Sequence, residues 1–370
     1  MTQPSASSAN SALFLSPEAP VAGSGGGGLR SASLLEYLRR RYTVQVAGFT
    51  LPHHSKTFAA RAWRNGWRFL RGVPPLLDRY SGFEAQLDPV LRGRHYTIGV
   101  VEHFWCAPYA SVVRPHCDRL VLDLHNIESE LASTHARSIS GPQRVLMTRF
   151  AEAYRRLEHE WLTRYDVVLV ASEEDRARIE HPNVYVYPNA LPEIARPTVA
   201  EQDCIVFSGN LEYHPNIEAV RWLRSEIWPR VRNLTELRLI GRNPEAVAAM
   251  VRGDDRIKLI GPVDDAVEAI ARAKVCVVPL LSGSGTRFKI LEAWAAARAV
   301  VSTTLGAEGL DARSGEHLVI ADDPAKFADS IVRLLKDPEE RRKLGEGGRQ
   351  LYLDRFTWRV AWDQLDRANL

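Results

Sequence analysis

The sequence predicts an α/β protein made of two similar halves, each a parallel β-sheet covered by helices. Short apolar runs typical of buried strands alternate with segments of helical periodicity along the chain. This alternation starts again after residue 200, and the two halves are of similar size. Between them, residues 186–192 contain two prolines, which is typical of a linker.

In the first half, the apolar runs and helical faces fix the order of the expected elements. We expect strands at 11–15, 43–47, 96–102, 119–124, 167–171 and 185–187, and helices at 29–42, 144–164 and 173–180. Residues 1–10 are rich in Ser, Ala, Pro and Gln, and we expect them to be disordered. The first domain is then expected to span residues 11–190.

The second half repeats this order over residues 191–352. Its expected strands are 203–208, 237–241, 257–261, 275–279 and 299–302, and its expected helices are 217–232, 245–251, 267–273, 288–297, 324–336 and 338–352. Residues 353–370 have the spacing of one further helix. Parallel sheets bind ligands beyond the carboxyl ends of their strands, so two Rossmann-like domains facing a central cleft are expected.

Composition excludes several classes of protein. The 370 residues contain 48 Lys and Arg against 45 Asp and Glu, a balance that argues against general nucleic-acid binding. The apolar runs are shorter than the roughly 20 residues that span a membrane, and the first residues lack the pattern of a secretory signal. The four cysteines form no CxxC pair, so reduced, buried thiols, a cytoplasmic location and no metal site are expected.

A glycine loop follows the first strand. Gly23, Gly25 and Gly28 have the G-x-G-x-x-G spacing that cradles phosphates before a helix. A nicotinamide dinucleotide site would need an acidic residue after the second strand, and residues 47–50 contain none. The alternatives left open are a loop close to another ligand and a plain flexible turn.

A second glycine-containing loop, residues 283–287, precedes the helix predicted at 288–297. Backbone N–H groups of Gly285 and Thr286 at such a position bind anions, and Arg287 and Lys289 add cations that suit phosphate. Glu292, one turn into the helix, can accept hydrogen bonds from a ribose diol. The alternative is a capped helix with a surface pair of cations.

Other strand ends carry candidate ligand groups. His125 follows the strand at 119–124, where it can orient or accept a proton, or serve only as a structural histidine. Gly209-Asn210 and Gly241-Arg242 end two strands of the second half, where glycine permits close backbone approach to a ligand.

Residues 56–71 interleave basic and aromatic side chains. Arginines and a lysine alternate there with Trp63, Trp67 and other apolar residues, which suits an anionic membrane surface. The alternative is a helix that packs its aromatic rings into the core and points its arginines to water.

The second half resembles the C-terminal domain of family 4 (group 1) retaining glycosyltransferases of the GT-B fold, and among them the bacterial exopolysaccharide type. The resemblance covers nearly the whole chain. Its motifs are 206–216 (VFSGNLEYHPN), 239–242 (LIGR), 261–265 (GPVDD), 285–293 (GTRFKILEA), 300–309 (VVSTTLGAEG) and 356–358 (FTW), with the glycine loop and 123–126 (DLHN) in the first half.

The resemblance implies an enzyme that moves a hexose-type sugar from a nucleoside-diphosphate sugar to a saccharide or lipid-linked saccharide. No metal or other cofactor is expected. Glu292 matches the second Glu of the family's Glu-seven-residues-Glu motif, which holds the donor ribose, and His125 matches the strand-end histidine near the sugar. The implied donor-binding residues are Gly25, Gly26, Gly209, Asn210, Arg242, Gly285, Thr286, Arg287, Lys289 and Glu292, with His125 and Glu292 as the catalytic pair. The helix at 353–370 is expected to cross back to the first domain.

One position departs from the family pattern. Ser284 stands eight residues before Glu292, where the family has its first Glu. Two alternatives to a transferase therefore stay open, a nucleotide-sugar epimerase of the same fold and a non-catalytic nucleotide-sugar binding protein. We further expect the chain to be cytoplasmic, with peripheral attachment to the inner face of the plasma membrane through residues 56–71, and to have no nucleic-acid partner.

Overall fold

The computed structural model describes residues 10–17, 26–51, 63, 66–68, 70–283 and 287–370. The described chain divides into two compact units, residues 1–187 with 364–370, and residues 188–363. The division at Tyr187 and Pro188 lies three residues before the predicted domain boundary. The expected disorder of residues 1–10 falls almost wholly outside the described residues.

The first unit is built on a parallel sheet whose described strands follow the order β2-β1-β3-β4-β5-β6. These strands are β1 (Ser11–Leu15), β2 (Thr43–Ala47), β3 (Tyr96–Glu102), β4 (Cys117–Asp123), β5 (Val167–Val170) and β6 (Val184–Val186). Its described helices are α1 (Gly26–Arg39), α2 (Pro75–Arg79), α3 (Asp88–Leu91), α4 (Ala110–Val113), α5 (Glu128–Ser138), α6 (Pro142–Leu162) and α7 (Glu173–Ala177). Three short 3₁₀ turns lie at Glu84–Leu87, Phe104–Tyr109 and Arg114–His116.

The strands of this sheet are largely apolar and buried, as is typical of a parallel sheet with helices on both faces. All four residues of β5 (VVLV) and all five of β1 (SALFL) are buried. Valine also favours the extended conformation. The strand predictions are therefore confirmed to within two residues at each end, whereas α5 was not predicted.

The second unit holds another parallel sheet, with its described strands in the order β12-β11-β10-β7-β8-β9. These strands are β7 (Gln202–Ser208), β8 (Glu236–Ile240), β9 (Ile257–Ile260), β10 (Ala273–Val278), β11 (Ala299–Ser302) and β12 (Val319–Ile320). The described helices are α8 (His214–Trp222), α9 (Trp228–Val231), α10 (Glu245–Val251), α11 (Ala266–Ala271), α12 (Phe288–Ala295), α13 (Pro324–Lys336), α14 (Pro338–Arg355) and α15 (Trp358–Arg367), with a π-helical turn at Leu223–Ile227 and a 3₁₀ turn at Leu305–Ala307.

Two helices differ from their predicted bounds in ways that affect the site. The α1 helix begins at Gly26, three residues before the predicted start, so the end of the predicted glycine loop is helical. The helix predicted at 217–232 is interrupted by the π-helical turn and begins already at His214, because Pro215 fits the first turn of a helix, where no N–H donor is needed.

The last residues of the chain belong to the first unit. Tyr37 on α1 donates a hydrogen bond to the Leu370 carbonyl oxygen (2.6 Å), and Arg119 donates to the carbonyl oxygens of Ala368 and Asn369. These contacts hold residues 364–370 on the first sheet and its helix α1. No described helix is long and apolar enough to cross a membrane.

Candidate functional site

Each unit places a group of polar side chains where its strand order reverses direction. In the first unit this point lies between β1 and β3, and in the second between β7 and β10. Doubly wound sheets bind ligands at such switch points, beyond the carboxyl ends of the strands.

In the second unit, two glycines bring the ends of β7 and β8 together. Gly209 and Gly241 have φ angles of 141° and 146°, which side chains rarely tolerate. A Cβ atom on Gly241 would lie 1.8 Å from the Gly209 carbonyl oxygen, and the Gly209 N–H donates to the Ile240 carbonyl oxygen. This approach of the two strand ends requires glycine at position 241, while the predicted approach of a ligand to these glycines stays a prediction.

Lys289 lies over this glycine pair. Its Nζ donates a hydrogen bond to Asn216 Oδ1 (2.6 Å), lies 4.2 Å from the centre of the Phe207 ring, and would be 3.3 Å from a Cβ on Gly209. Burial, together with the charge of the nearby Arg287, lowers the pKa of Lys289 to about 7. An anion at this point would restore the charged form of the ammonium group, which makes Lys289 a suitable phosphate ligand.

Glu292 lies on the same helix, α12, three residues after Lys289. Its side chain is half-buried, and burial raises its pKa to about 7 against the opposing charge of Lys289. The buried Ser208 hydroxyl at the end of β7 faces this carboxylate, and its hydrogen bond opposes the rise in the Glu292 pKa. A carboxylate and a hydroxyl group at one strand end are the groups that bind a diol.

Arg287 is the residue immediately before α12. Its carbonyl oxygen accepts the N–H groups of Ile290 and Leu291, and its guanidinium packs over Gly283, where a Cβ would lie 3.2 Å from Nη1. Gly283 has a φ of +117°, so this packing also depends on glycine. Gly285 and Thr286, together with Ser284, lie outside the described residues.

The other predicted donor-binding residues occupy the rim of this group. The Arg242 side chain is exposed, and its carbonyl oxygen accepts the Leu211 N–H. Asn210 Oδ1 accepts hydrogen bonds from Asn243 and Glu212, while its carbonyl oxygen accepts one from Asn216. The Asn210 side chain therefore braces the loop.

Several residues of this site were not predicted. Asn216 was expected to belong to a helix cap, with contact to a ligand left open, and the structure shows that it orients both Lys289 and the Asn210 loop. Ser282 donates a hydrogen bond of 2.5 Å to Glu218 on α8, which ties the loop after β10 to that helix. Their polar side chains beside strand ends were the available signal.

In the first unit, the predicted His125 lies in a buried group of charged side chains. Its Nε2 atom is 3.4 Å from Glu102 Oε1 and 3.4 Å from Asp123 Oδ2, and Glu102 and Asp123 are fully buried. The other ring nitrogen faces α1, since a Cβ on Gly27 would lie 3.6 Å from Nδ1. Gly25 lies outside the described residues, and Gly26 is the first residue of α1.

Arg30 neutralises Asp123 from α1. Its guanidinium donates to both Asp123 carboxylate oxygens, at 2.5 to 3.1 Å, and to the Tyr187 carbonyl oxygen. Burial alone would raise the pKa of Asp123, but the charges of Arg30 and His125 hold it well below its usual range. The Tyr187 ring covers the guanidinium at 4.5 Å.

Glu102, Asp123 and His125 offer three ligand atoms within 4.8 Å of one another. Arg30, however, occupies both carboxylate oxygens of Asp123. A metal ion would have to displace this buried guanidinium, and we therefore interpret the group as an ion-pair network.

His103, the residue after β3, packs against His125 with the two rings tilted by 35°. The ring centres are 3.7 Å apart, and Trp105 stacks on His103 at 4.3 Å. The His103 backbone has a φ of 66°, unusual for a residue with a side chain. Burial, with the charge of His125, keeps the pKa of His103 well below its usual range.

Comparison with known proteins places these sites in context. Residues 202–337 match the sequence model of a family described as "Glycosyl transferases group 1". An "Uncharacterized 44.6 kDa protein in cps region" of Klebsiella pneumoniae is 30% identical over 144 residues, covering 36% of this chain and 37% of that protein. A "Phosphatidyl-myo-inositol mannosyltransferase" of Mycobacterium leprae (strain TN) is 33% identical over 139 residues, covering 36% of this chain and 37% of that protein. The chain thus spans little more than a third of the length of the curated relatives it matches.

Solved structures resemble the chain over nearly its full length. Sucrose-phosphate synthase from Thermosynechococcus elongatus has a TM-score of 0.76 at 17% identity and covers 98% of both chains. HepE from Anabaena, solved with UDP-glucose, has a TM-score of 0.68 at 14% identity, covering 98% of this chain and 99% of that one. WaaG, "a glycosyltransferase involved in lipopolysaccharide biosynthesis", has a TM-score of 0.66 at 14% identity and covers 96% of this chain and 99% of that one.

These likenesses confirm the predicted fold class, two Rossmann-like halves of the GT-B type, which the two parallel sheets show directly. At such low identity they bear on the fold alone. Within the second unit, residues 202–337 match the sequence model of the group 1 glycosyl transferases, and the chain has the GT-B fold.

Proposed function

We propose that the chain is a retaining glycosyltransferase that moves a hexose-type sugar from a nucleoside-diphosphate sugar to a saccharide or lipid-linked saccharide in cell-surface or exopolysaccharide synthesis. The observation that carries the proposal is Lys289, held by Asn216 over the glycine at the end of β7, with Glu292 three residues further along α12. The relatives from a cps region and with mannosyltransferase activity support sugar transfer.

In this proposal the second unit binds the donor. Lys289 and Arg287 neutralise the diphosphate, and Glu292 accepts hydrogen bonds from the ribose hydroxyls. Because these cations are fixed before the reaction, the departing nucleoside diphosphate is stabilised without a metal ion. HepE was solved with UDP-glucose, which supports a nucleotide-sugar donor.

We propose same-face attack for the transfer. The bond between the anomeric carbon and the phosphate oxygen breaks, and the acceptor oxygen forms its bond on the same face. The acceptor hydroxyl proton passes to the departing phosphate, so no carboxylate nucleophile is needed. Trapping of a covalent sugar–enzyme adduct would contradict this step.

The test is nucleotide binding followed by turnover. UDP, GDP, ADP and dTDP, with their common sugar conjugates, are titrated against the protein by calorimetry. We expect one nucleotide class to bind, and Glu292→Gln to weaken it about 10- to 100-fold, as lost hydrogen bonds to a charged group would. The exposed Glu226→Gln serves as control.

Turnover separates this proposal from its alternatives. Incubation of the bound sugar nucleotide with saccharide acceptors, with and without EDTA, should give a glycosylated product in both cases. Formation of an epimer without acceptor would indicate a nucleotide-sugar epimerase instead. Tight binding with neither product would indicate a non-catalytic binding protein, with Ser284 the first position to examine.

We also propose a cytoplasmic protein that attaches to an anionic membrane surface through residues 56–71. Of this segment, the described side chains of Trp63, Trp67 and Leu70 are exposed, and the two indole rings stack in parallel. The alternative, in which the aromatic rings pack into the core, is wrong for both tryptophans. Arg68, predicted as part of the basic face, instead pairs with Asp78 at 2.8 Å.

A further inference from the structure

The His125 ring nitrogen Nε2 lies between two fully buried carboxylates. The distances to Glu102 Oε1 and Asp123 Oδ2 are equal, at 3.4 Å, and both are long for a single hydrogen bond. This geometry is that of one N–H shared between two acceptors. His125 therefore carries its Nε2 proton, and the open question is whether Nδ1 carries one too.

The charges around the ring answer that question. The groups that face His125 are Glu102 from β3, Asp123 from β4, Arg30 from α1, His103 after β3 and Glu128 from α5. Arg30 is hydrogen-bonded to both oxygens of Asp123 and so balances that acid. Glu102 remains, and its Oε2 has no hydrogen-bond partner among the described residues.

A buried carboxylate needs a cation or must take up a proton. The cation within hydrogen-bond distance of Glu102 Oε1 is an imidazolium on His125. Glu128 does not disturb this balance, because burial together with the charge of Glu158 raises its pKa to about 8 and keeps it neutral near pH 7. The neutral His103 stacks on the same ring.

We propose that Glu102 is a positioning residue for His125: with Asp123 it holds Nε2–H and keeps the ring doubly protonated, so that Nδ1–H faces Gly27 as a hydrogen-bond donor and not as a general base. The direction of the His125 pKa agrees. Burial alone would lower it, but the hydrogen bonds that the ring donates to both carboxylates, with their charges, outweigh burial and raise it. The proposal rests on the proposed function only for its kinetic test.

The primary test uses the free, full-length protein. The chain has 11 histidines, so the ¹⁵N-labelled imidazole signals are assigned by their loss in His125→Gln. At neutral pH we expect both nitrogens of His125 to carry protons. In Glu102→Gln, which keeps shape but removes charge, we expect the ratio of charged to neutral His125 to fall about tenfold or more. An unprotonated Nδ1 in the unaltered protein overturns the proposal, whether or not the variant folds.

Glu128→Gln is the matched control. It removes another buried acid beside His125, but one that is neutral near pH 7, so the charged fraction of His125 at pH 7 should change much less than in Glu102→Gln. An equal change in both variants would mean that His125 responds to general disturbance of the site, which also overturns the proposal.

Kinetics provide a second readout. We expect the alkaline limb of the kcat/KM profile to move to lower pH in Glu102→Gln and to move less in Glu128→Gln, whose carboxyl group ionises only near pH 8 in the unaltered protein. A merely structural role for Glu102 would lower the rate at every pH without moving the limb. If the protein transfers no sugar at all, the proposed function fails, while the spectra still decide the state of His125.

Discussion

Arg30 is a fully buried arginine whose guanidinium meets a fully buried carboxylate. Its side chain is 1% exposed and that of Asp123 is 0% exposed, and the pair joins α1 to the end of β4. Removing one partner of such a pair leaves an uncompensated charge in the interior. The pair also fixes one of the two carboxylates that hold His125.

We therefore predict that Arg30→Met lowers the free energy of unfolding by about 3–5 kcal/mol. Arg40, one residue after the end of α1, forms an exposed ion pair with Glu36 on that helix, and Arg40→Met should cost less than about 0.5 kcal/mol. Urea denaturation of both variants measures the difference. Equal effects in the two variants would contradict the role of burial.

Glu128 gives a prediction with a defined pH dependence. Its folded-state pKa is raised to about 8 by burial and by Glu158, whereas an unfolded Glu titrates near about 4.3. Between these values the folded protein holds a proton that the unfolded chain has lost, so stability falls as pH rises.

In Glu128→Gln the carboxyl group is replaced by an amide, so position 128 binds no proton in either the folded or the unfolded state. We expect this variant to match the unaltered protein at pH 4 and to exceed it by about 4–5 kcal/mol at pH 8, since each pKa unit of difference is worth about 1.4 kcal/mol. Denaturation at several pH values checks this, with the exposed Glu152→Gln as control. A constant difference at every pH would mean that the substitution acts through packing.

Single residues at strand ends were predictable, but their partners were not. In the sequence, His125 follows the end of a predicted strand, and Lys289 and Glu292 lie in the first turns of a predicted helix. Their positions alone mark them as candidate site residues. Glu102 reads in the sequence as the last residue of an apolar strand, and Asn216 reads as a helix cap. Their contacts with His125 and Lys289 join residues 23 and 73 positions apart, which no local pattern encodes.

At the scale of elements, the ends of β7 and β8 depend on two glycines. We predict that Gly241→Ala disturbs both strand ends, because the added Cβ would lie 1.8 Å from the Gly209 carbonyl oxygen. Gly253→Ala is the matched control, since Gly253 also has a positive φ of 84° but has open space around it. Both substitutions place a side chain at a positive φ, but only Gly241→Ala also brings the new Cβ against the backbone of Gly209.

We expect the free energy of unfolding to fall by about 1 kcal/mol in Gly253→Ala and by clearly more in Gly241→Ala. Gly241→Ala should also weaken nucleotide binding, since Gly209 underlies Lys289. Denaturation and the calorimetric titration of nucleotide measure the two effects. Unchanged nucleotide affinity in a folded Gly241→Ala protein would separate this strand end from the binding site.

Element type was more predictable than element bounds. Apolar runs such as VVLV at Val167–Val170 define a strand wherever they occur. The start of α1 was misplaced because glycine has a low helix propensity, and residues 26–28 are helical only in their tertiary setting. The two-residue strand β12 is too short to leave a periodic signal.

For the whole molecule, the alternation of strands and helices predicted two parallel sheets but not their strand orders. The order depends on which strands pair across long sequence distances, as β7 does with β10. That pairing creates the switch point where Lys289 and Glu292 lie. The fold class was therefore accessible from the sequence, whereas the grouping of the site residues required the structure.

Membrane attachment is a property of the whole molecule, and the exposed apolar side chains of residues 56–71 predict it. Trp63, Trp67 and Leu70 are 71%, 52% and 72% exposed. Tryptophan rings favour the headgroup region of a bilayer, and basic residues near them add attraction to anionic lipids that salt screens. We expect the protein to sediment with vesicles containing phosphatidylglycerol at low salt and to be released at high salt.

The double variant Trp63→Ala/Trp67→Ala should lower this partitioning about tenfold or more, since each ring buries a large apolar area on binding. Val145→Ala removes an exposed apolar side chain elsewhere, on α6, and should leave partitioning unchanged. Because both tryptophans are exposed, neither substitution should lower the free energy of unfolding by more than a few tenths of a kcal/mol, about the scale of surface substitutions. Vesicles that fail to sediment the unaltered protein at low salt would remove the membrane surface from the proposed partners and leave the nucleotide site unaffected.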